Sequence, residues 1–401
     1  MEEWKTYKYT DLCTLIGGGT PKTSEPLYWN GDIPWLSVKD FGTGFKYVYS
    51  SEKHISEEGL NNSSTKLLQK DDIIISARGT VGVMAMIPFP MAFNQSCFGI
   101  RANNNVDPHF LYYLTKTKIT ELQSNSHGSV FDTITRDTFD KIDCSIPSIS
   151  TQRKIATILS NLDRKIELNN RINHNLEEQA QALYKSWFVD FEPFKDGKFV
   201  DSELGMIPEG WNVSPLGKIA EYRKKSINPQ RFPNTSFHHF SLPAFDNSKE
   251  PEIQKGLEIM SNKFVVEEKM VLFSKLNPRI KRLWVLDNVP DNAICSTEFI
   301  AYKAINQEMF SYVWCYLNGD SFYDGILSMV NGATGSHQRF HAEDTLNFIV
   351  PFSHNVAISF SKLVAPILYS IMKNERENLS LKQERDILLP KMMSGALHVD
   401  D

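Results

Sequence analysis

The side chains best suited to chemistry in this chain are polar groups that recur at matching places in its two halves. Ser76-Ala77-Arg78-Gly79-Thr80 in the first half matches Ser274-Lys275-Leu276-Asn277-Pro278-Arg279 in the second, and Asn94-Gln95-Ser96 matches Ser296-Thr297-Glu298. In the major groove of DNA, Arg and Lys suit guanine, Asn and Gln suit adenine, and Glu suits cytosine. The same groups also bind phosphates. The pattern therefore favours hydrogen bonding to nucleic acid.

A third matched pair of segments adds further donors. His127-Gly128-Ser129 with Thr133 and Arg136 corresponds to Asn331-Gly332-Ala333-Thr334 with His337, Gln338 and Arg339. For any single residue an ordinary polar loop is at least as good an interpretation, and the basic run Arg223-Lys224-Lys225 suits phosphates or solvent equally. Candidate DNA-contacting residues are Arg78, Thr80, Gln95, Ser96, Ser129, Thr133, Arg136, Arg223, Lys224, Lys275, Asn277, Arg279, Thr297, Thr334, His337, Gln338 and Arg339.

Motifs for catalysis and for cofactor binding are missing from the sequence. Gly17-Gly18-Gly19-Thr20 lacks the Lys-Ser/Thr of a phosphate-binding loop. His238-His239 has no HExxH context or cysteine partner, so a core or surface pair is the better interpretation. No serine lies in a nucleophile elbow. We therefore expect a chain that is not an enzyme and that binds neither a metal ion nor a cofactor.

The elements that must position these groups are themselves duplicated. Pro147 and Pro351 close the two matched segments and lie 351 − 147 = 204 positions apart, about half the chain. Strands are predicted at 33–38, 72–77 and 97–100 and again at 269–274, 283–286 and 299–302, and helices at 110–122 and 310–317. Two similar but unlike halves can present two similar but unlike surfaces.

Two long helices with a heptad seam follow the two globular parts. Adding 205 to the residue numbers of the apolar seam in the first helix gives the seam of the second helix, and the match includes two asparagines at the same places. Pro366 predicts either a kink in the second helix or its true start. Two such helices most simply pack antiparallel, and polar seam residues usually fix register or partner. The predicted seam and partner-docking residues are Ile155, Leu159, Leu162, Ile166, Asn169, Asn173, Leu176, Leu183 and Trp187, then Phe360, Val364, Ile367, Ile371, Asn374, Asn378, Leu381 and Leu388.

Composition bounds the class of protein. A chain of 401 residues with 41% apolar content should hold two or three domains, and its net charge of −5 argues against an indiscriminate binder of nucleic acid. The five scattered cysteines favour unpaired thiols in a reducing cytosol. The N-terminus has no signal-peptide character, and the apolar stretch 356–372 is too short and polar to span a membrane, so a cytoplasmic protein without membrane contact is expected.

Several segments together resemble the specificity (S) subunit of type I restriction–modification systems over essentially the whole chain. Gly18-Gly19-Thr20-Pro21, continued by Tyr28-Trp29-Asn30-Gly31-Asp32-Ile33-Pro34-Trp35, is similar to the start of many first target-recognition domains. Gln152-Arg153-Lys154-Ile155-Ala156 is similar to the start of the central helix, although the second copy has Ala357-Ile358 where the first has Gln152-Arg153. The linker (191–194 and 202–211) and the tail Leu389-Pro390-Lys391-Met392-Met393-Ser394-Gly395 also resemble the family.

The resemblance implies an α+β fold with two homologous target-recognition domains separated by two long helices that form an antiparallel coiled coil, related as an internal repeat about a pseudo-twofold. Expected boundaries are 1–150 for the first domain, 151–192 for the central helix, 193–210 for the linker, 211–352 for the second domain and 353–401 for the C-terminal helix and tail. Each domain would read one half of a bipartite site in double-stranded DNA. The helices would dock two modification (M) subunits, which carry S-adenosylmethionine and methylate adenine at N6. Two restriction (R) subunits would add cleavage driven by ATP with Mg²⁺.

Two other functions remain open at this point. A free-standing methyltransferase or nuclease would need motifs that the sequence lacks. A coiled-coil adaptor without sequence-specific DNA binding would need only the helices.

Overall fold

Each half of the globular sequence combines with part of the two long helices to form its own unit. The computed structural model describes residues 4–42, 44–124, 133–330 and 338–397. Unit 1 consists of residues 1–168 and 380–401, and unit 2 consists of residues 169–379.

Unit 1 is built on two four-stranded sheets and a two-stranded ribbon. Its strands are β1 Lys5–Lys8, β2 Cys13–Gly17, β3 Trp29–Leu36, β4 Lys53–Ile55, β5 Leu67–Leu68, β6 Ile73–Ser76, β7 Met84–Met86, β8 Met91–Phe93, β9 Cys97–Ala102 and β10 Asp143–Ile146. The sheets have the strand orders β2-β9-β6-β7 and β4-β3-β8-β5, and β1 pairs with β10.

Strand β6 shows why the apolar run in this region forms a central strand. Successive side chains of a strand point to opposite faces. Ile73 and Ile75 enter one apolar core while Ile74 enters another. A strand buried on both faces needs a continuous apolar run rather than an alternating one, and this run was the basis for predicting it.

The helices of unit 1 are short except for α4 and α6. They are α1 Tyr9–Leu12, α2 Val38–Phe41, α3 Glu57–Asn61, α4 Pro108–Ser124, α5 Arg136–Asp140 and the first half of α6 Ile149–Phe188. Asp107 Oδ1 accepts from the backbone N–H groups of His109 and Phe110 at 3.0 Å each, and Pro108 occupies the first helical position. This cap starts α4 two residues before the predicted 110.

The strand predicted at 33–38 is wrong at both ends. The strand expected at 33–38 spans Trp29–Leu36, and Val38 begins α2 instead. Asp40 accepts hydrogen bonds from the backbone N–H and the hydroxyl of Ser37, at 2.6 and 2.8 Å. That helix-capping contact ends the strand at Leu36.

Unit 2 repeats the sheet plan of unit 1. Its strands are β11 Phe199–Val200, β12 Ile207–Pro208, β13 Asn212–Pro215, β14 Ala220–Arg223, β15 Ser226–Ile227, β16 Ser236–Phe240, β17 Glu252–Lys255, β18 Lys263–Val265, β19 Met270–Ser274, β20 Leu283–Leu286, β21 Ala293–Cys295, β22 Phe299–Ala304 and β23 Ile349–Phe352. The sheet β14-β22-β19-β20 has the connectivity of β2-β9-β6-β7, and the pair β13-β23 corresponds to β1-β10. The parallel contact of β16 with β21 likewise corresponds to that of β3 with β8. The duplication read from the sequence is therefore a duplication of topology.

The remaining helices are α7 Leu242–Asn247, α8 Phe310–Asn318, α9 Asp320–Val330, α10 Ala342–Thr345 and α11 His354–Met393. The second long helix starts at His354 and continues through Pro366, so Pro366 does not mark its start. A proline within a helix leaves the carbonyl four residues earlier without its N–H partner. Pro366 and Lys362 both lie on the exposed side of α11, where water can satisfy that carbonyl.

Candidate nucleic-acid interface

In unit 1, three loops meet at one end of the sheet β2-β9-β6-β7. The N–H of Ala77, just after β6, donates to the carbonyl of Ser96 at 2.8 Å, and the N–H of Ile134 donates to the carbonyl of Ala77 at 3.0 Å. Arg78 and Thr133 form an isolated antiparallel bridge. We call the segments 77–80, 94–96 and 133–136 the strand-end surface of unit 1.

The candidate residues of this surface differ in how they are held. Arg78, Thr80, Gln95 and Arg136 are exposed, whereas Ser96 and Thr133 are half-buried. The hydroxyl of Thr20 donates to the side-chain oxygen of Gln95. Nη2 of Arg136 donates to the carbonyl of Leu15 at 2.9 Å, which anchors that arginine to β2. Ser129 lies outside the described residues.

Unit 2 joins the equivalent loops in the same way. The N–H of Lys275, just after β19, donates to the carbonyl of Glu298 at 2.9 Å, and the N–H of Asn277 donates to the carbonyl of Gln338 at 3.0 Å. Leu276 and Arg339 form the isolated bridge. The segments 275–279, 296–298 and 338–339 are the strand-end surface of unit 2.

These bridges correct one correspondence drawn from the sequence. Arg339 forms its bridge with Leu276, and Thr133 forms its bridge with Arg78. Leu276 comes directly after Lys275 in unit 2, just as Arg78 comes directly after Ala77 in unit 1. Arg339 is therefore the structural counterpart of Thr133 rather than of Arg136. The repeat shift alone could not locate it, because the segments between the matched strands differ in length.

Glu298 is a functional candidate that the sequence-based selection of residues omitted. Its carboxylate accepts from Nε and Nη2 of Arg339, at 3.0 and 3.2 Å. This contact raises the pKa of Arg339 above its ordinary value. The sequence showed a polar Ser296-Thr297-Glu298 triplet, but nothing local revealed the pairing, since the partners are 41 positions apart.

The other candidates of unit 2 fall at or near the same end of the sheet. Thr297 is half-buried and Arg279 is exposed. Arg223 ends β14 opposite Ala301, close to the start of β22. Thr334 and His337 lie outside the described residues.

Two basic residues, Arg223 at the end of β14 and Lys224 directly after it, are balanced by carboxylates. Arg223 contacts Glu221 at 2.8 Å, and Lys224 forms a salt bridge with Glu343 whose hydrogen bond lowers the pKa of that carboxyl. All four side chains are exposed to a substantial degree. Exposed pairs of this kind contribute about 0–1 kcal/mol to stability, so they are easily exchanged for contacts to phosphate.

The predicted helix seam is withdrawn from solvent along its length. Ile155, Leu159, Ile166, Asn169, Asn173, Phe360, Val364, Ile371 and Asn378 are buried, and Leu162, Leu176, Leu183, Trp187, Ile367, Asn374, Leu381 and Leu388 are half-buried. The apolar stripe is wider than the seam, because Tyr184, Phe188 and Leu368 are also buried against the globular part of unit 2.

Within unit 2 the seam asparagines pair reciprocally. Asn169 Nδ2 donates to Asn378 Oδ1 at 2.9 Å, and Asn374 Nδ2 donates to Asn173 Oδ1 at 2.8 Å. Residue numbers rise on α6 while they fall on α11, so the helices run antiparallel there. Asn169 and Asn374 are equivalent in the repeat, as are Asn173 and Asn378, so one contact is the symmetry copy of the other.

Metal binding and thiol chemistry find no candidate site among the described residues. In the parts of the chain that the structure describes, no cluster of His, Cys, Asp and Glu could hold a metal ion. All five cysteines are buried and free, as expected for unpaired thiols, and burial raises the pKa of Cys13, Cys97 and Cys295 to about 12. These thiols are therefore protonated and unreactive near neutral pH.

One helix in the described residues, α11, is long and apolar enough by length and composition to cross a membrane. Its residues Phe360, Val364 and Leu368 belong to the core of unit 2. A buried core helix passes the same test, so this finding is weak evidence for a membrane span.

Comparison with known proteins identifies the family. A sequence model described as Type I restriction modification DNA specificity domain matches residues 1–178. The type I restriction enzyme MjaIX specificity subunit of Methanocaldococcus jannaschii is 32% identical, with 100% of this chain and 95% of that protein covered. The HindI specificity subunit of Haemophilus influenzae is 44% identical, with 99% and 100% covered.

A solved structure shares the fold. The crystal structure of a type I restriction–modification S subunit from M. genitalium has a TM-score of 0.59 and 16% identity, with 98% of this chain and 96% of that chain covered. The expected fold class, two mixed α/β parts with long helices, agrees with this likeness. The full-length similarity to MjaIX and HindI carries the assignment: this chain belongs to the family of type I restriction enzyme specificity subunits.

Proposed function

We propose that this chain is the non-catalytic subunit that gives a type I restriction–modification complex its DNA sequence specificity. Each strand-end surface would read one half of a bipartite site in double-stranded DNA. The observation that carries this proposal is that both units join three loops at the same end of matching sheets but present different side chains there. A shared scaffold with unlike readers suits two unlike half-sites.

The strand-end surfaces have the chemistry that base reading requires. Their side chains are hydrogen-bond donors and acceptors at exposed positions: Arg78, Thr80 and Gln95 in unit 1, and Arg279 and Arg339 in unit 2. The loops that carry them are held by backbone hydrogen bonds of 2.8 to 3.0 Å, so the donors are positioned before DNA arrives. The basic residues Arg223 and Lys224 would contact phosphates beside the reading loops.

The partners follow from the family and from the chain's own charge. Two M subunits would bind the paired helices, carry S-adenosylmethionine and methylate adenine at N6 after flipping it out of the duplex. Two R subunits would supply cleavage with ATP and Mg²⁺. A net charge of −5 leaves the M subunits to provide much of the basic channel. We place the complex in the cytoplasm, where it meets chromosomal and incoming DNA.

Selection of duplexes from a random pool by the complex of this chain with its M subunit tests the proposal. We expect the bound duplexes to share two unlike sequence blocks at a fixed gap, and methylated adenines in cells to fall within the same blocks. A scrambled duplex of the same composition is the control in a gel shift. Equal binding of selected and scrambled duplexes would favour the adaptor function, and methylation by this chain alone would overturn its non-catalytic role.

A further inference from the structure

We propose that Arg339 reads a guanine in the half-site of unit 2 and that Glu298 is the positioning residue that aims it. This inference rests on the proposed function and adds a named base, a named reader and a named support. It assigns different roles to two neighbouring side chains of one surface.

The geometry of the ion pair leaves one reading edge available. Glu298 occupies Nε and Nη2 of Arg339, which form one edge of the planar guanidinium. The adjacent edge, formed by Nη1 and the second N–H of Nη2, makes no hydrogen bond or ion pair with any residue that the structure describes. Half of the Arg339 side chain is exposed, against about a quarter of Glu298, so the arginine is the outer member of the pair. An edge with two parallel N–H groups matches O6 and N7 of guanine.

The backbones of Arg339 and Glu298 are both held by hydrogen-bonded contacts, so the two side chains start from fixed positions. The bridge to Leu276 holds Arg339, and the N–H of Lys275 holds the carbonyl of Glu298. A long side chain normally loses conformational freedom when it binds. A carboxylate that already orients the guanidinium reduces that cost.

The negative charge of Glu298 favours a base over a phosphate as the ligand of the open edge of Arg339. A phosphate at the open edge of Arg339 would lie close to a second anion, the Glu298 carboxylate, and like charges at such distances repel. The edge of guanine presents two neutral acceptors and escapes this repulsion. Because the pair has no net charge, it adds little to the general attraction of the backbone and mainly discriminates among bases.

Unit 1 lacks this arrangement at the equivalent place. Ser96 stands where unit 2 has Glu298, and Thr133 stands where it has Arg339. The exposed arginines of that surface are Arg78, on the other strand of the bridge, and Arg136, which donates to the carbonyl of Leu15 rather than to a carboxylate. We therefore expect the supported guanine contact in the half-site of unit 2 only.

The experiment compares duplex selection by the wild-type complex with its M subunit against selection by complexes that carry Arg339→Ala or Glu298→Gln. With wild type, one position of one half-site should be guanine, preferred over other bases by roughly tenfold to a hundredfold. Arg339→Ala should abolish the preference at that position alone. Glu298→Gln should weaken it severalfold and, at the same time, strengthen binding to random duplexes, because one negative charge is removed beside the DNA.

Asp246→Asn is the matched control. Arg282 forms the same two-point contact with Asp246, at 2.6 and 2.9 Å, but only 11% of the arginine side chain is exposed, so it cannot present an edge to DNA. This variant should leave the half-site unchanged. Binding of the M subunit and thermal unfolding report whether each variant is folded.

The possible results distinguish the guanine assignment of Arg339, the positioning role of Glu298 and the proposed function of the chain. A uniform loss of affinity with Arg339→Ala would mark a phosphate contact and overturn the guanine assignment, and so would an unchanged half-site. If Glu298→Gln lowers affinity for random and selected duplexes alike, Glu298 is structural rather than positioning. A wild-type complex without any bipartite preference would instead overturn the proposed function itself.

Discussion

In unit 1 the long helices meet the globular part through buried charges, whereas in unit 2 the same faces are lined with aromatic rings. Asp163 on α6 contacts Arg385 at 2.7 Å and accepts a 2.5 Å hydrogen bond from the hydroxyl of Tyr113 on α4. Lys46 donates to Ser160 of α6 at 2.7 Å and lies 4.6 Å from the centre of the Tyr113 ring. Side chains of both Asp163 and Arg385 are about 90% withdrawn from solvent.

The repeat shows what takes the place of these charges in unit 2. The shift from Ile155 to Phe360 is 360 − 155 = 205, and it carries Asp163 to Leu368 and Arg385 back to Ala180. Both of these residues belong to the apolar core of unit 2. Around them Phe188 packs edge-on against Phe360 and Tyr312, at 5.1 and 4.8 Å between ring centres.

One backbone plan therefore accommodates two kinds of junction between the long helices and the globular part. Apolar packing stabilises the folded state in proportion to the apolar area that it buries, and it depends little on small changes in the orientation of the packed groups. An ion pair with a tyrosine and a lysine around it has defined directions, and it costs desolvation that apolar residues would not. We infer that the unit 1 junction fixes orientation and the unit 2 junction contributes stability.

Breaking the charged junction should give the largest effect. Asp163→Ala removes the buried carboxylate that faces both Arg385 and Lys46, and it leaves Arg385 with the exposed carboxylate of Asp386, at 2.9 Å. We expect a loss of about 3–5 kcal/mol in the free energy of unfolding of unit 1. Denaturant titration of the full chain, with hydrogen exchange to assign the transition to unit 1, measures it.

The double variant Asp163→Leu with Arg385→Ala copies unit 2 into unit 1 and serves as the control. It removes both charges together, so it should be clearly more stable than Asp163→Ala. Equal destabilisation of the two variants would show that the charges act independently and that the comparison of junctions is misleading.

The pH dependence of unit 1 sharpens the same contrast. Burial lowers the pKa of Lys46 from 10.5 to about 8. Between these values the unfolded chain holds a proton that the folded chain has released, so stability should rise with pH through this window. The free energy of unfolding changes by about 1.4 kcal/mol for each tenfold difference between the two proton affinities, so the gain is roughly 3–4 kcal/mol at most.

Lys46→Met isolates this contribution. Other lysines whose pKa burial lowers, such as the half-buried Lys116, remain in the variant, so the difference between wild type and variant across about pH 7.5 to 9.5 reports Lys46 alone. Burial raises the pKa of Tyr112 to well above its ordinary value, which opposes the effect only at higher pH. Parallel curves for the two proteins would show that the amine does not lose its proton in the range that burial implies.

How much could be predicted from the sequence depended on the range of the interactions. Strand β19 and helix α8 were predicted within one residue of their ends, because a continuous apolar run is a local signal. Helix α11 was recognised from its heptads, but its passage through Pro366 was not, since that depends on which side of the helix faces solvent.

Contacts between residues far apart in the sequence could not be predicted. The Asp163–Arg385 pair joins residues 222 positions apart, and no periodicity links their charges. The same holds for Glu298 with Arg339. The polar loops could be recognised as candidates from residue type, but which of them meet depended on backbone hydrogen bonds between loops of unequal length.

The seam asparagines give the smallest expected effect and test whether polar contacts add stability or fix register. Asn169→Ala leaves the side-chain oxygen of Asn378 without its 2.9 Å donor, and we expect a loss of about 1–3 kcal/mol in unit 2. Replacing the reciprocal pair together, Asn173→Leu with Asn374→Leu, removes donor and acceptor at once and should be nearly neutral or stabilising by denaturant titration. If that double variant keeps its stability but crosslinks between cysteines placed on α6 and α11 show more than one alignment, the asparagines fix register, as polar seam residues do in other coiled coils. A single alignment would mean that the aromatic junction of unit 2 already sets the register and that the amide pairs are dispensable.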